Sequence, residues 1–180
     1  PQDTVRLNSP ATNLKRNADN TWRVTVGGKE IIEADALIVA APAFRAGQLL
    51  EPIAANAGAE LKRIPYASTA TVSLGYRRAD FPQVPRSFGF VVPAIEKRKI
   101  MACTFSSLKY PGRAPDNYIL MRAFVGGSLQ PELFTDDDRT MEQNVRDELA
   151  TLLGVTAQPR FARVWRHPNS MPQYHVGHAA

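Results

Sequence analysis

Few side chains in this sequence have both the type and the spacing that bond-making chemistry demands. Cys103, the single cysteine, sits inside the apolar run Met101-Ala102-Cys103-Thr104-Phe105, a setting that suits inert packing better than nucleophilic attack. His167, His175 and His178 fall close together near the end of the chain, but no acidic or cysteine partner lies nearby and no helix aligns them. They read as polar loop residues, and no metal site is assigned. Asp136, Asp137 and Asp138 are adjacent at a helix start, where three carboxylates fan outward instead of converging, so capping accounts for them better than a cation does. No GxGxxG, P-loop, CxxC or nucleophile elbow occurs, and no side chain stands out as a general acid or base. The informative stretch is 87–128. It holds three short apolar runs rich in Val, Ile, Phe and Thr, bounded by Pro, Gly, Ser and charged residues, and it reads as the floor of a pocket.

The elements that must position these residues follow from periodicity. Three short runs rich in Val, Ile, Phe and Thr make 87–128 a β-meander. Arg122 and Phe124 are two apart on its third strand and so share a face. Before it, residues 67–76 alternate Ala70, Val72, Leu74 and Tyr76 against Thr69, Thr71, Ser73 and Gly75, the pattern of a half-buried antiparallel strand. After it, Thr135 with Asp138 forms a capping-box pattern, Met141, Val145, Leu149, Leu152 and Leu153 make one apolar helix face, and Gly154 ends the helix. A last strand is expected over 161–166, followed by an irregular tail.

The first third of the chain has a different character. Residues 5–7 and 11–14 read as short extended segments, and the runs beginning at Trp22 and Lys29 form a hairpin through Gly27-Gly28, where both glycines can take positive φ without steric cost. Residues 36–41, Ala-Leu-Ile-Val-Ala-Ala, are apolar without alternation, which predicts a strand buried on both faces. Pro42 ends it, a short helix follows over 43–50, and a second runs from Pro52 to about Lys62.

Composition narrows the function classes. At 180 residues and 44% hydrophobic the chain can bury one good core and a smaller second one. The net charge of +5 is scattered in pairs, with one triplet at Lys97-Arg98-Lys99, instead of being gathered on an aromatic-studded face. That speaks against nucleic-acid binding and for attraction of a small anion. No apolar run approaches the roughly 20 residues that cross a bilayer, which leaves only peripheral membrane contact open, and a lone cysteine suits a reducing cytoplasm. The chain opens on Pro1-Gln2-Asp3-Thr4, with neither Met nor signal-peptide character, and is expected to be a soluble piece of a longer protein.

Five segments in order, Ser87-Phe88-Gly89-Phe90-Val91-Val92-Pro93, Ala102-Cys103-Thr104-Phe105-Ser106-Ser107, Tyr110-Pro111-Gly112-Arg113-Ala114-Pro115, Phe124-Val125-Gly126-Gly127 and Met171-Pro172-Gln173-Tyr174-His175-Val176-Gly177-His178, resemble the oxygen-dependent protoporphyrinogen or coproporphyrinogen oxidases. The resemblance implies an α+β internal fragment: a partial FAD-binding α/β subdomain over 1–64, then a substrate-binding domain over 65–180 with an antiparallel or mixed sheet and packed helices. It implies FAD as the cofactor of the complete enzyme, absent from a fragment without the GxGxxG unit, and a porphyrinogen as substrate. The matching positions are Ala11 and Pro42 beside the cofactor, and Phe88, Val91, Thr104, Phe124 and Met171 against the macrocycle. Arg122 and Arg113 are the cations offered to the propionates. Two rivals stay open: another amine-oxidase-like flavoprotein of the carotenoid desaturase type, and a module that holds a tetrapyrrole without chemistry.

Overall fold

The computed structural model describes residues 4–178, an α+β protein that divides into two compact units, one of residues 4–65 with 173–178 and one of Tyr66–Pro172. In the first unit, strands β1 (Ala11–Arg16), β2 (Trp22–Val26) and β3 (Glu30–Ala34) form an antiparallel sheet in sequence order. Gly27 and Gly28, at φ 59° and 75°, turn the β2–β3 hairpin as their sequence requires. Helices α1 (Ala43–Leu50) and α2 (Ala55–Arg63) pack on each other so closely that a Cβ on Gly47 would lie 2.7 Å from the Gly58 carbonyl oxygen.

Several expectations for this unit are corrected. Residues 5–7 form no strand, because no neighbour offers them a ladder. Residues 36–41 are likewise unpaired and not buried on both faces; Ile38 is 90% exposed. An apolar run becomes a strand only beside partner strands, and in this unit β2 already has both its neighbours, β1 and β3. Pro52 lies in the turn ahead of α2 instead of at its first position, so the helix starts three residues later at Ala55.

The second unit is built on a five-stranded antiparallel sheet in the order β5-β6-β7-β4-β8, from β4 (Tyr66–Arg77), β5 (Gly89–Val91), β6 (Ala102–Phe105), β7 (Tyr118–Gly126) and β8 (Phe161–Pro172). The meander read from the sequence is β5-β6-β7. Between β6 and β7 lies one turn of helix, α3 (Ser106–Lys109), and helix α4 (Asp138–Leu153) covers one sheet face. Met141, Val145 and Leu149 of α4 are fully buried in one cluster with Val72, Leu74 and Tyr76 of β4, Cys103 and Phe105 of β6, and Ile119, Met121 and Ala123 of β7. The turn before β6 is clamped to α4: Arg98 pairs with Glu148 at 3.0 Å, and the Lys99 amide donates to the same carboxylate at 2.9 Å.

Three details differ from the sequence reading. Strand β4 is not half-buried: Thr69 and Thr71 on its second face are buried too, Thr71 to 8%, because it is an interior strand, paired on both sides, and Thr71 lies in register between Phe124 and Trp165. Strand β8 does not end at Arg166; it continues to Pro172 because β4 offers partners that far, with an irregularity opposite Ser68 that absorbs Pro168 where no amide donor is needed. The cap of α4 is Asp137, whose Oδ1 accepts from the amides of Arg139 and Thr140 at 3.0 Å, while Thr135 donates locally to the Glu132 carbonyl. Gly154 ends α4 at φ 68°, as expected.

Candidate functional site

Strand parity divides the side chains of the five-stranded sheet into two sets. In β7, Ile119, Met121, Ala123 and Val125 turn toward α4 and are buried, so Leu120, Arg122 and Phe124 lie on the opposite face. Register extends that second face across the sheet in two adjacent rows. One row runs Val91, Ala102, Phe124, Thr71, Trp165, and the other runs Gly89, Thr104, Arg122, Ser73, Arg163. Met171 pairs with Ala67 and His167 with Thr69, which puts both on the same face further along. Val91, Thr104, Arg122, Phe124 and Met171, picked out separately in the sequence, therefore share one side of one sheet.

The face is open and mixed in character. Val91 is 79% exposed and Trp165 50%. The Arg163 guanidinium lies 4.3 Å from the centroid of the Trp165 ring, and Thr71 Oγ1 is 3.4 Å from His167 Nε2 across the β4–β8 ladder. Neither row contains an acidic residue. On the helix side of the same strands Cys103 is buried, and desolvation pushes its thiol up to about 12, so it stays protonated and inert as its sequence setting implies. The Tyr76 hydroxyl is raised to about 12 by the same cause.

The remaining nominated residues lie elsewhere. Phe88 precedes β5, an odd number of positions from Val91, so alternation does not bring it onto the face with Val91; it is 65% exposed, and its carbonyl accepts from the Phe105 amide at 2.9 Å. Between them, Gly89 has φ 148°, and an added Cβ would stand 2.3 Å from the Cys103 carbonyl oxygen, so only glycine lets β5 approach β6 there. Arg113 sits in the loop ahead of β7, its guanidinium 5.8 Å from the Tyr110 ring, at the end of β7 away from Phe124. In the first unit Ala11 is the exposed first residue of β1, a strand paired on one side only, and Pro42 is the exposed cap residue of α1, its carbonyl accepting from the amides of Arg45 and Ala46. His178 bonds the His175 carbonyl through Nδ1 at 3.0 Å, and no group of three metal-ligating side chains gathers among the described residues.

Sequence reasoning missed two features. Arg163, Trp165 and His167 join the face because β8 pairs with β4, and alternation within 161–166 would have grouped Phe161, Arg163 and Trp165 had the partner strand been known. A cleft of about 380 Å³ on the helix side, between Val84, Pro85, Arg86, Phe90, Phe105 and Leu152, left no sequence signal, because it forms where the loop before β5 passes the end of α4.

Comparison with known proteins supports this architecture. All of residues 1–180 match the family described as flavin containing amine oxidoreductase. The chain is 35% identical over 148 residues to a coproporphyrinogen III oxidase of Propionibacterium freudenreichii subsp. freudenreichii, covering 82% of this chain and 28% of that protein. It is 30% identical over 182 residues to the protoporphyrinogen oxidase of Bos taurus, covering 97% of this chain and 37% of that protein. A solved candidate protoporphyrinogen oxidase from Exiguobacterium sp. 255-15 superposes with a TM-score of 0.71 at 31% identity, over 97% of this chain and 37% of that one. The cyclohexylamine oxidase of Brevibacterium oxydans IH-35A shares the fold at a TM-score of 0.72 and 16% identity, over 93% of this chain and 36% of that one. The chain thus spans between about a quarter and two fifths of the length of these relatives. With the resemblance read from its five motifs borne out, this chain belongs to the flavin-containing amine oxidoreductases and has porphyrinogen oxidases among its relatives.

Proposed function

We propose that this chain forms a substrate wall of a flavin-dependent porphyrinogen oxidase that desaturates protoporphyrinogen IX or coproporphyrinogen III to the porphyrin, with oxygen as the final acceptor. The observation that carries the reading is the shared sheet face of Val91, Thr104, Phe124 and Met171, with Arg122 beside Phe124. A flat, largely apolar macrocycle needs such a wall, and burying a few hundred Å² of it contributes roughly 5–10 kcal/mol before ordering costs. Its propionates need cations, which Arg122 supplies directly and Arg113 from the neighbouring loop. Phe88, which does not share that face, is offered to the macrocycle from the segment leading into β5.

Residues 1–64 contribute part of an FAD-binding subdomain and 65–180 the substrate-binding domain. Ala11 fits a contact made mainly through its backbone, since β1 is paired on one side only, and the exposed Pro42 lies near the same cofactor. FAD, when bound, supplies the hydride acceptor. The residues of this chain bind the macrocycle, orient it and exclude water, which agrees with the lack of a carboxylate in either row of the face. The chain alone is inactive, since it holds no phosphate-cradling GxGxxG turn. A reducing cytoplasm suits its buried, unoxidised Cys103.

The test is Phe124→Ala in the complete enzyme. The lost apolar contact is expected to raise KM for the porphyrinogen about tenfold, from roughly 1.5 kcal/mol of burial, with flavin content unchanged. An unaltered KM removes Phe124 from the wall.

A further inference from the structure

The second row of the open face carries more than the aromatic wall requires. Thr104, Arg122, Ser73 and Arg163 stand in register on β6, β7, β4 and β8. With neighbouring strands about 4.8 Å apart, the two arginines leave the sheet about 10 Å from each other, with Ser73 between them. Some of the basic side chains near this sheet are already engaged. Arg98 is paired with Glu148, and Arg166 is held by the Phe134 and Asp136 carbonyls and by Asp138 at 2.7 Å. Arg122 and Arg163 have no side-chain hydrogen bond and no ion pair among the described residues. Arg163 is nonetheless held in place, stacked on Trp165, a contact that leaves the N–H edge of a guanidinium free to bond an anion.

We infer that Arg122 and Arg163, with the Ser73 hydroxyl between them, form a two-point anchor for two carboxylates on one edge of the substrate, while Phe124 and Trp165 in the adjacent row take the ring system. This rests on the porphyrinogen reading and adds to it. It assigns roles to Arg163, Ser73 and Trp165, which no sequence motif singled out, and it makes the carboxylates, more than the ring, the feature that is selected. Two charges and a hydroxyl in one row, with no carboxylate in either row, suit a dianionic edge.

The experiment is equilibrium binding of coproporphyrin III and of its uncharged tetramethyl ester to the complete protein, followed by porphyrin absorbance. Coproporphyrin III is expected to bind, with the ester at least tenfold weaker. Arg122→Gln and Arg163→Gln should each raise the Kd for the acid about tenfold or more without changing that of the ester, which removes any general loss of folding as the explanation. Arg163→Lys should recover part of the loss, since it keeps the charge but not the planar fork. Arg139→Gln, on the exposed first turn of α4, should bind as the unaltered protein does. If the acid binds but the ester binds equally, or if the arginine variants retain full affinity, the anchor is refuted while the porphyrinogen reading stands. If neither macrocycle binds the unaltered protein, both fall together.

Discussion

Gly89 couples the shortest strand of the sheet to the rest, and replacing it with alanine tests the geometry of the open face at one atom. A Cβ there would meet the Cys103 carbonyl oxygen at 2.3 Å and the Thr104 Cα at 2.9 Å, and the backbone sits at φ 148°. Both contacts are to backbone, so neither can rotate away; β5 must move off β6. Gly112 is the natural control. It also has positive φ, 77°, but an added Cβ meets nothing within 4 Å. Gly112→Ala should therefore cost only the left-handed backbone, about 1–2 kcal/mol. Gly89→Ala should cost a comparable backbone penalty plus about 1–3 kcal/mol for overpacking, some 2–5 kcal/mol in all. Against a typical stability of about 5–15 kcal/mol that difference is large. Urea unfolding of both variants, followed by circular dichroism, reads it as a shift in midpoint at constant slope. Equal losses for the two variants would refute the close approach of β5 to β6, and with it the register that aligns Val91 with Phe124.

Other predictions concern groups whose ionisation the fold controls. Burial raises the Cys103 thiol to about 12, so it should resist aromatic disulfide reagents at pH 8 and react at once in urea; its contribution to stability is complete below the unfolded thiol pKa of about 8.5 and is lost as pH rises toward 12. Asp137 is held below the usual carboxylate range by the Thr140 hydroxyl and the Thr140 and Arg139 amides. Its cap is thus present above an unfolded pKa of about 3.9 and is lost as pH falls through the folded value, so Asp137→Ala should lower Tm at pH 7 while the gap from the unaltered protein closes toward pH 3. The isolated chain should be colourless, and a flavin absorption band in the purified material would contradict the assignment of the phosphate-binding turn to other residues.

Legibility in the sequence followed how local each cause was. The faces of β7 could be read because alternation at Arg122 and Phe124 needs no knowledge of the partner strand, and the register then confirmed them as neighbours. Helix α4 was legible for the same reason, although its cap shifted from Thr135 to Asp137, two adjacent signals that only the geometry of the preceding turn separates. What depended on distant pairing was not legible. Residues 36–41 carry the composition of a buried strand without the neighbours that would make one. The burial of Thr71 arises from Phe124 and Trp165 on either side, 53 and 94 positions away in sequence, and β8 outran its apolar pattern because β4 continued beside it. Arg163 and Trp165 joined the face through that same pairing.

The strict alternation of β7 has a consequence for how such a protein can change over generations. Even positions from Leu120 to Phe124 meet the outside, and odd positions from Ile119 to Val125 meet the core. A substitution at Arg122 or Phe124 can retune what is held without disturbing Met121 or Ala123 beside it. A single-residue insertion or deletion in the same strand would exchange the two sets, drive a guanidinium into the interior and turn the interior out to solvent. Lineages descended from this sequence should therefore vary in spelling at the outward positions of β7 while keeping its length unchanged.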